Sequence, residues 1–212
     1  NVNLSLFRGD TVLLSASSGS GKSTLLRAIA GIWPFGSGEI VGRADGRRLF
    51  LPQKPYLPIG TLREVVSYPM PADGVDDVTL RETLEAVGLH ELAGRLNETG
   101  HWALQLSPGE QQRIAFARAL VQKPDWLFLD EATSAVDEST EARLYRLVRE
   151  RLVGTTVFSV GHRATLRPFH ARQLMVQPNG NGLPSIVEVT AMPGARRGLG
   201  VLMHDKVAAM AG

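Results

Sequence analysis

The sequence contains no cysteine. Disulfides, thiolate nucleophiles and cysteine-ligated zinc are therefore excluded, and a reducing compartment is permitted. No apolar run approaches the roughly 18 residues of a membrane-spanning helix, and the first residues are not expected to act as a secretory leader. An excess of one charge is also missing. Lys and Arg number 23 against 21 Asp and Glu, a net charge of +2. That near-balance excludes a strongly basic nucleic-acid clamp as the default reading, although a pI of about 9.2 leaves room for local patches. Lysine is scarce, at positions 22, 54, 123 and 206 only. What is present is 43% hydrophobic and 21% charged residues over 212 positions, enough for a packed core and too apolar for a disordered chain. The length fits one α/β domain with an inserted subdomain.

Along the chain, Val2, Leu4 and Leu6 alternate with polar residues, and Arg8-Gly9-Asp10 reads as a turn before the apolar run Thr11-Val12-Leu13-Leu14. A Gly/Ser-rich loop follows at 15–21. Lys22 to Ile32 has helical spacing, with Leu25, Leu26, Ile29 and Ile32 on one side, and Pro34 with the glycines at 36 and 38 is expected to end it. Leu49-Phe50-Leu51, Trp126 to Leu129 and Thr155 to Val160 read as short buried strands. Helices are expected at 79–87, 109–121 and 138–152. Residues 61–106 show no convincing strand and read as a helical insertion. Residues 178–182 read as a turn joining two edge strands. Residues 191–200 are expected to be mobile, and 201–210 to form one short helix. Strands alternating with helices argue for a doubly wound parallel sheet.

Ala16-Ser17-Ser18-Gly19-Ser20-Gly21-Lys22-Ser23-Thr24 lies between an apolar strand and a helix, the setting a phosphate-binding loop requires. Gly19 and Gly21 let successive N–H groups face one concavity, and the helix N-terminus adds its positive dipole end. Lys22 can reach β- and γ-phosphates, and the Ser23 hydroxyl can ligate Mg²⁺. Ala16 replaces the usual first glycine. The same residues also describe a plain Gly/Ser turn before a helix with a chance lysine. Asp130 and Glu131 end a buried strand. Asp130 is suited to hold Mg²⁺ and Glu131 to polarise an attacking water. Their other reading is a helix N-cap with a first-turn glutamate. Leu106-Ser107-Pro108-Gly109-Glu110 opens a helix with a good cap, a good first residue and a capping box.

A second capped anion site in one domain, placed between the phosphate loop and the acidic pair, resembles the nucleotide-binding domain of an ABC (ATP-binding cassette) protein. Residues 106–110 are similar to its LSGGQ signature, with Pro108 and Glu110 as departures. Gln53 resembles the Q-loop glutamine, Ser134 to Asp137 the D-loop, and His162 the switch histidine. The resemblance covers about residues 3–190. It implies a P-loop NTPase (RecA-like) fold, with a parallel-sheet core and an inserted α-helical subdomain. The family's early N-terminal β elements, and the aromatic that stacks on adenine, would lie upstream of residue 1. The expected organisation is an ATP-binding core over 1–60, a helical signature subdomain over 61–112, the rest of the core over 113–190, and a tail over 191–212.

The resemblance implies ATP and Mg²⁺. It assigns Lys22, Glu131 and His162 to catalysis and Ala16 to Thr24 with Gln53 to the nucleotide. Ser107, Gly109 and Glu110 would contact the nucleotide of a second copy, with Ser23, Gln53 and Asp130 at the metal and Asp137 at the dimer seam. The implied function is ATP hydrolysis powering transmembrane transport as a head-to-tail homodimer. Alternatives are a non-transport ABC ATPase and a cassette that binds nucleotide without turnover. Leu51 to Tyr56, Gly60 to Glu64 and Ser67-Tyr68-Pro69 resemble peroxisomal ABC half-transporters and their bacterial relatives, in which a membrane domain precedes the ATPase on one polypeptide. That implies attachment at the cytoplasmic face of a bacterial inner (plasma) membrane, and no nucleic-acid partner.

Overall fold

The computed structural model describes residues 4–15, 19–41, 46–178, 184–191 and 204–205. In chain order the strands are β1 (Thr11–Ser15), β2 (Ile40–Val41), β3 (Arg48–Leu51), β4 (Gly60–Thr61), β5 (Thr99–Gly100), β6 (Trp126–Asp130), β7 (Thr156–Val160), β8 (Arg172–Pro178), β9 (Pro184–Ala191) and β10 (His204–Asp205). The α-helices are α1 (Lys22–Ile29), α2 (Leu62–Ser67), α3 (Asp77–Ala86), α4 (His90–Ala93), α5 (Trp102–Gln105), α6 (Pro108–Gln122) and α7 (Glu138–Arg151). Two compact units emerge. The first holds residues 1–50, 125–130 and 154–212; the second holds 51–124 and 131–153.

The first unit is built on a sheet of order β3-β6-β7-β1-β8-β9. β6, β7, β1 and β8 run parallel, and β9 closes antiparallel to β8. Every residue of the central strand β7 is buried, because both of its faces are covered. The core is Val12, Leu14, Leu26, Phe128, Phe158, Val160 and Leu174. Phe50 stacks on Phe128 at 4.5 Å between ring centroids. Each such aliphatic or aromatic side chain contributes about 1.5–3 kcal/mol on burial. Arg172 locks the near edge by donating to Asp10 and Glu188.

Several expectations need correction in this unit. α1 stops at Ile29 rather than Ile32, because Gly31 adopts φ 75 and the Ile32 N–H turns back to the Arg27 carbonyl. That is a left-handed glycine stop, which acts before Pro34 can. Residues 4–7 form no strand, although Leu4 and Leu6 still pack on the core. Of the two strands flanking the expected turn, β8 lies inside the sheet and β9 is at its edge; the joining turn at 179–183 lies outside the described residues. Of 201–210 only 204–205 are described, and they pair as strand with β2 instead of forming a helix. Residues 192–203 lie outside the described set.

The second unit is helical around α6, whose neighbours are α2, α3 and α7. Leu62, Val65, Val66, Leu80, Leu84, Ile114, Phe116, Leu120, Leu144 and Val148 form its interior. α6 starts at a complete Ser107–Glu110 capping box with Pro108 in its first turn. α7 starts at Asp137, whose side chain accepts from the Thr140 N–H, and ends on Arg149 and Arg151, which suit the negative end of its dipole. The short pair β4–β5 is a strand element within the stretch expected to have none. Two-residue strands carry no periodicity, and this pair is held by Trp102, whose Nε1 donates to the Gly60 carbonyl at 3.0 Å. Among the described residues no helix is long and apolar enough to cross a membrane.

Candidate nucleotide site

In the first unit, strand register brings three segments to one edge of the sheet. Val160 of β7 pairs with both Leu14 of β1 and Asp130 of β6. Three adjacent parallel strands therefore end level, within about 10 Å from first to last at a strand spacing near 4.8 Å. β1 runs on into the phosphate loop, β6 ends in Asp130, and β7 runs through Gly161 to the exposed His162. The carboxyl edge of a parallel sheet is where ligands of such folds bind.

The described part of the loop, residues 19–24, has the local form expected of it. Gly19 and Gly21 take φ 78 and φ 86, conformations that cost a side-chain-bearing residue about 1–2 kcal/mol. Gly21 is the N-cap of α1, among the described residues no side chain caps that helix, and no acidic residue sits in its first turn. Its leading N–H groups thus keep their affinity for an anion. Lys22 is buried and Ser23 and Thr24 are half-buried at the same helix end. The Ser20 hydroxyl is buried with no hydrogen-bond partner among the described residues. A buried orphan hydroxyl costs about 1–3 kcal/mol unless a ligand satisfies it. Ala16, Ser17 and Ser18 lie outside the described residues.

The second unit carries Gln53, Ser107, Gly109, Glu110, Glu131 and Asp137. Glu131, directly after Asp130 in the chain, adopts φ 48. A non-glycine residue holds that conformation only where its surroundings impose it, and such residues cluster at functional sites. The Glu131 carbonyl accepts from the Ser134 N–H at 3.0 Å. Gln53 is exposed on the loop after β3.

Ser107, Gly109, Arg113, Ala135, Asp137 and Thr140 are among the residues lining a cleft of about 380 Å³. A Cβ on Gly109 would lie 2.8 Å from the Ala135 carbonyl oxygen, so only glycine allows this approach. Ser107 donates both its N–H and its hydroxyl to the Glu110 carboxylate, at 2.9 and 2.6 Å. The Ser107 hydroxyl holds the Glu110 pKa below the ordinary carboxylate value. Asp137 is likewise held low, first by the Ser139 hydroxyl and then by the Thr140 N–H.

The ABC transporter family profile matches residues 1–134. The chain belongs to the ABC transporter family. It corresponds to the family's nucleotide-binding ATPase domain, on the P-loop NTPase fold. An ABC transporter ATP-binding protein of Haemophilus influenzae is 48% identical over 177 residues, spanning 82% of this chain and 29% of the relative. ABC transporter D family member 1 of Dictyostelium discoideum is 38% identical over 192 residues, spanning 85% of this chain and 26% of the relative. The chain thus spans under a third of the length of these curated relatives. A solved bacterial Atm1-family ABC exporter with ATP bound shares the fold, with a TM-score of 0.66 at 24% identity over 81% of this chain and 32% of that one.

Three polar anchors of this ABC domain escaped the sequence reading. Gln112 is buried and bonds to Gln53, Ser134 and Ala135. Arg118 is buried and donates to the carbonyls of Val65 and Tyr56 at 2.8 and 2.6 Å; burial lowers its pKa to about 10. His170 is buried between Leu166 and Ser159. The available signal was a polar residue on the buried face of an otherwise apolar element, which marks a network without naming its partners.

Proposed function

We propose that the chain binds ATP with Mg²⁺ and hydrolyses it to power transport, as one of two cassettes paired head to tail. The observation that carries this reading is the level ending of β1, β7 and β6, which sets the phosphate loop, His162 and Asp130 along one sheet edge. The loop N–H groups and the uncapped start of α1 cradle the phosphates, and Lys22 neutralises their charge. Among the described residues no group of three or more His, Cys, Asp or Glu could hold a metal by itself. Ser23 and Asp130 offer hard oxygen donors, which suits a Mg²⁺ that keeps phosphate oxygens and waters in its shell. Gln53 is assigned to the same ion by the resemblance. When bound, the ion supplies charge neutralisation on the phosphate oxygens.

Glu131 orients the attacking water, and His162 holds the γ-phosphate against it. Ser107, Gly109 and Glu110 would approach the nucleotide of the second copy, with Asp137 along the seam. The Glu110 carboxylate in place of glutamine sets a negative charge there. The much greater length of the relatives supports a membrane domain on the same polypeptide, at the cytoplasmic face of a bacterial inner membrane. Exposed Tyr56, Ile59 and Tyr68 in the second unit fit contact with such a partner. Glu131→Gln should abolish steady-state phosphate release and trap an ATP-bound dimer, seen by size exclusion. Hydrolysis by this variant at the parent rate would refute the role. ATP binding without turnover by the parent chain would favour a binding-only cassette. Salt-sensitive nucleic-acid binding would favour a non-transport ATPase.

A further inference from the structure

The second unit contains a buried amide that touches three segments at once. Gln112 lies one turn into α6 and is 2% exposed. Its Nε2 donates to the Gln53 carbonyl at 2.9 Å and to the Ser134 hydroxyl at 3.1 Å. Its Oε1 accepts from the Ala135 N–H at 2.9 Å. A carbonyl can only accept and a backbone N–H can only donate, so these partners fix which end of the amide faces which segment. Both amide hydrogens are used.

The segment held in this way is the one that follows Glu131. Ser134 closes a turn onto the Glu131 carbonyl through its N–H, at 3.0 Å, while its hydroxyl is held by Gln112. Ala135 is fixed twice, by its N–H to Gln112 and by its carbonyl oxygen against the bare Cα of Gly109. Glu131 keeps its left-handed φ of 48 at the start of this same turn. On the other side, Gln53 is anchored by its backbone while its side chain is exposed.

We propose that Gln112 is a positioning residue for ATP hydrolysis, a joint that ties the Gln53 loop to the 131–135 turn and so sets the backbone that carries Glu131. This rests on the reading of Glu131 as the water-orienting group. A displacement of the Gln53 backbone must carry the amide with it or break a bond of a fully satisfied buried network, and either event reaches Ser134 and Ala135. Of the residues assigned to the nucleotide, Lys22 to Thr24 belong to the other unit, and Gln53 is held by the joint only through its backbone. Loss of the joint therefore acts on turnover more than on nucleotide affinity.

The test is steady-state phosphate release by the full chain with Mg²⁺-ATP. Gln112→Leu should lower kcat about tenfold or more with the KM for ATP within about twofold. An unchanged kcat or an equal loss in KM would each overturn the proposal. If Gln112→Leu does not fold, the same criteria apply to Gln112→Glu, which keeps the acceptor for Ala135 and loses both donors. Hydrogen exchange gives a readout without turnover. Mg²⁺-ATP should alter protection of residues 131–136 in the parent and not in the variant, and an equal response in both, nil included, overturns the proposal. Parent-level turnover by Glu131→Gln would instead sink the reading of Glu131 itself.

Discussion

His170 should make the domain sensitive to mild acid. It is 2% exposed, with Nδ1 2.7 Å from the Leu166 carbonyl and Nε2 2.8 Å from the Ser159 hydroxyl. The carbonyl can only accept, so Nδ1 carries the proton. In the neutral ring Nε2 then accepts from Ser159. Burial pushes the pKa from 6.5 down to about 4, with the Leu166 carbonyl opposing part of that shift. Between these values the unfolded chain binds the proton that the folded chain refuses. Stability therefore rises with pH through the window, is complete above about 6.5, and is lost as pH falls toward 4.

The whole difference is worth about 3 kcal/mol, of which about 2 kcal/mol is lost between pH 7.5 and pH 5. The loss acts where it matters, because Leu166 packs against Gly161, directly before His162; a Cβ on Gly161 would lie 2.5 Å from Leu166 Cδ1. Urea unfolding at pH 7.5 and pH 5 would measure this, comparing the parent with His170→Gln, which cannot titrate there. The parent should lose about 2 kcal/mol more than the variant on acidification. Equal losses in the two proteins would refute the neutral buried ring.

Gly109→Ala should weaken both folding and hydrolysis, since its Cβ would meet the Ala135 carbonyl oxygen at 2.8 Å and backbone must move; thermal melts and phosphate release together would report it. Glu110→Gln should strengthen ATP-dependent self-association several-fold, because it removes a carboxylate from the start of α6 while keeping a capping side chain; weaker association in analytical ultracentrifugation would contradict this. Arg118→Leu should cost about 2–3 kcal/mol in urea unfolding, because it strands one buried and one part-buried carbonyl, and a loss under 1 kcal/mol would count against that network. Lys22→Ala should raise the Kd for ATP at least about tenfold in calorimetry, and an unchanged Kd would refute the phosphate-binding role of Lys22.

Much of this domain is written in runs of neighbouring residues. Gly19 and Gly21 before Lys22 state a phosphate loop, because glycine alone takes those left-handed conformations without strain, and the apolar strand before it and the helix after it agree. Ser107-Pro108-Gly109-Glu110 states a capped helix start, since cap, proline and returning carboxylate all act within one turn. Trp126 to Asp130 states a buried strand ending in a carboxylate. The stop of α1 at Gly31 and the β4–β5 pair were harder to see. The first hid behind a stronger-looking proline, and the second is too short to show a period.

The sequence by itself therefore determined the chemistry of each segment and the class of fold, because backbone preference, capping and apolar periodicity act over one to four residues. Only tertiary structure decided that Asp130, Val160 and Leu14 end level across three strands, that Gln112 meets a carbonyl 59 residues away, and that His170 must stay neutral between β7 and Leu166. Those relations depend on which distant groups packing excludes from water together, and a buried polar group has no preferred partner until the surrounding core has chosen one.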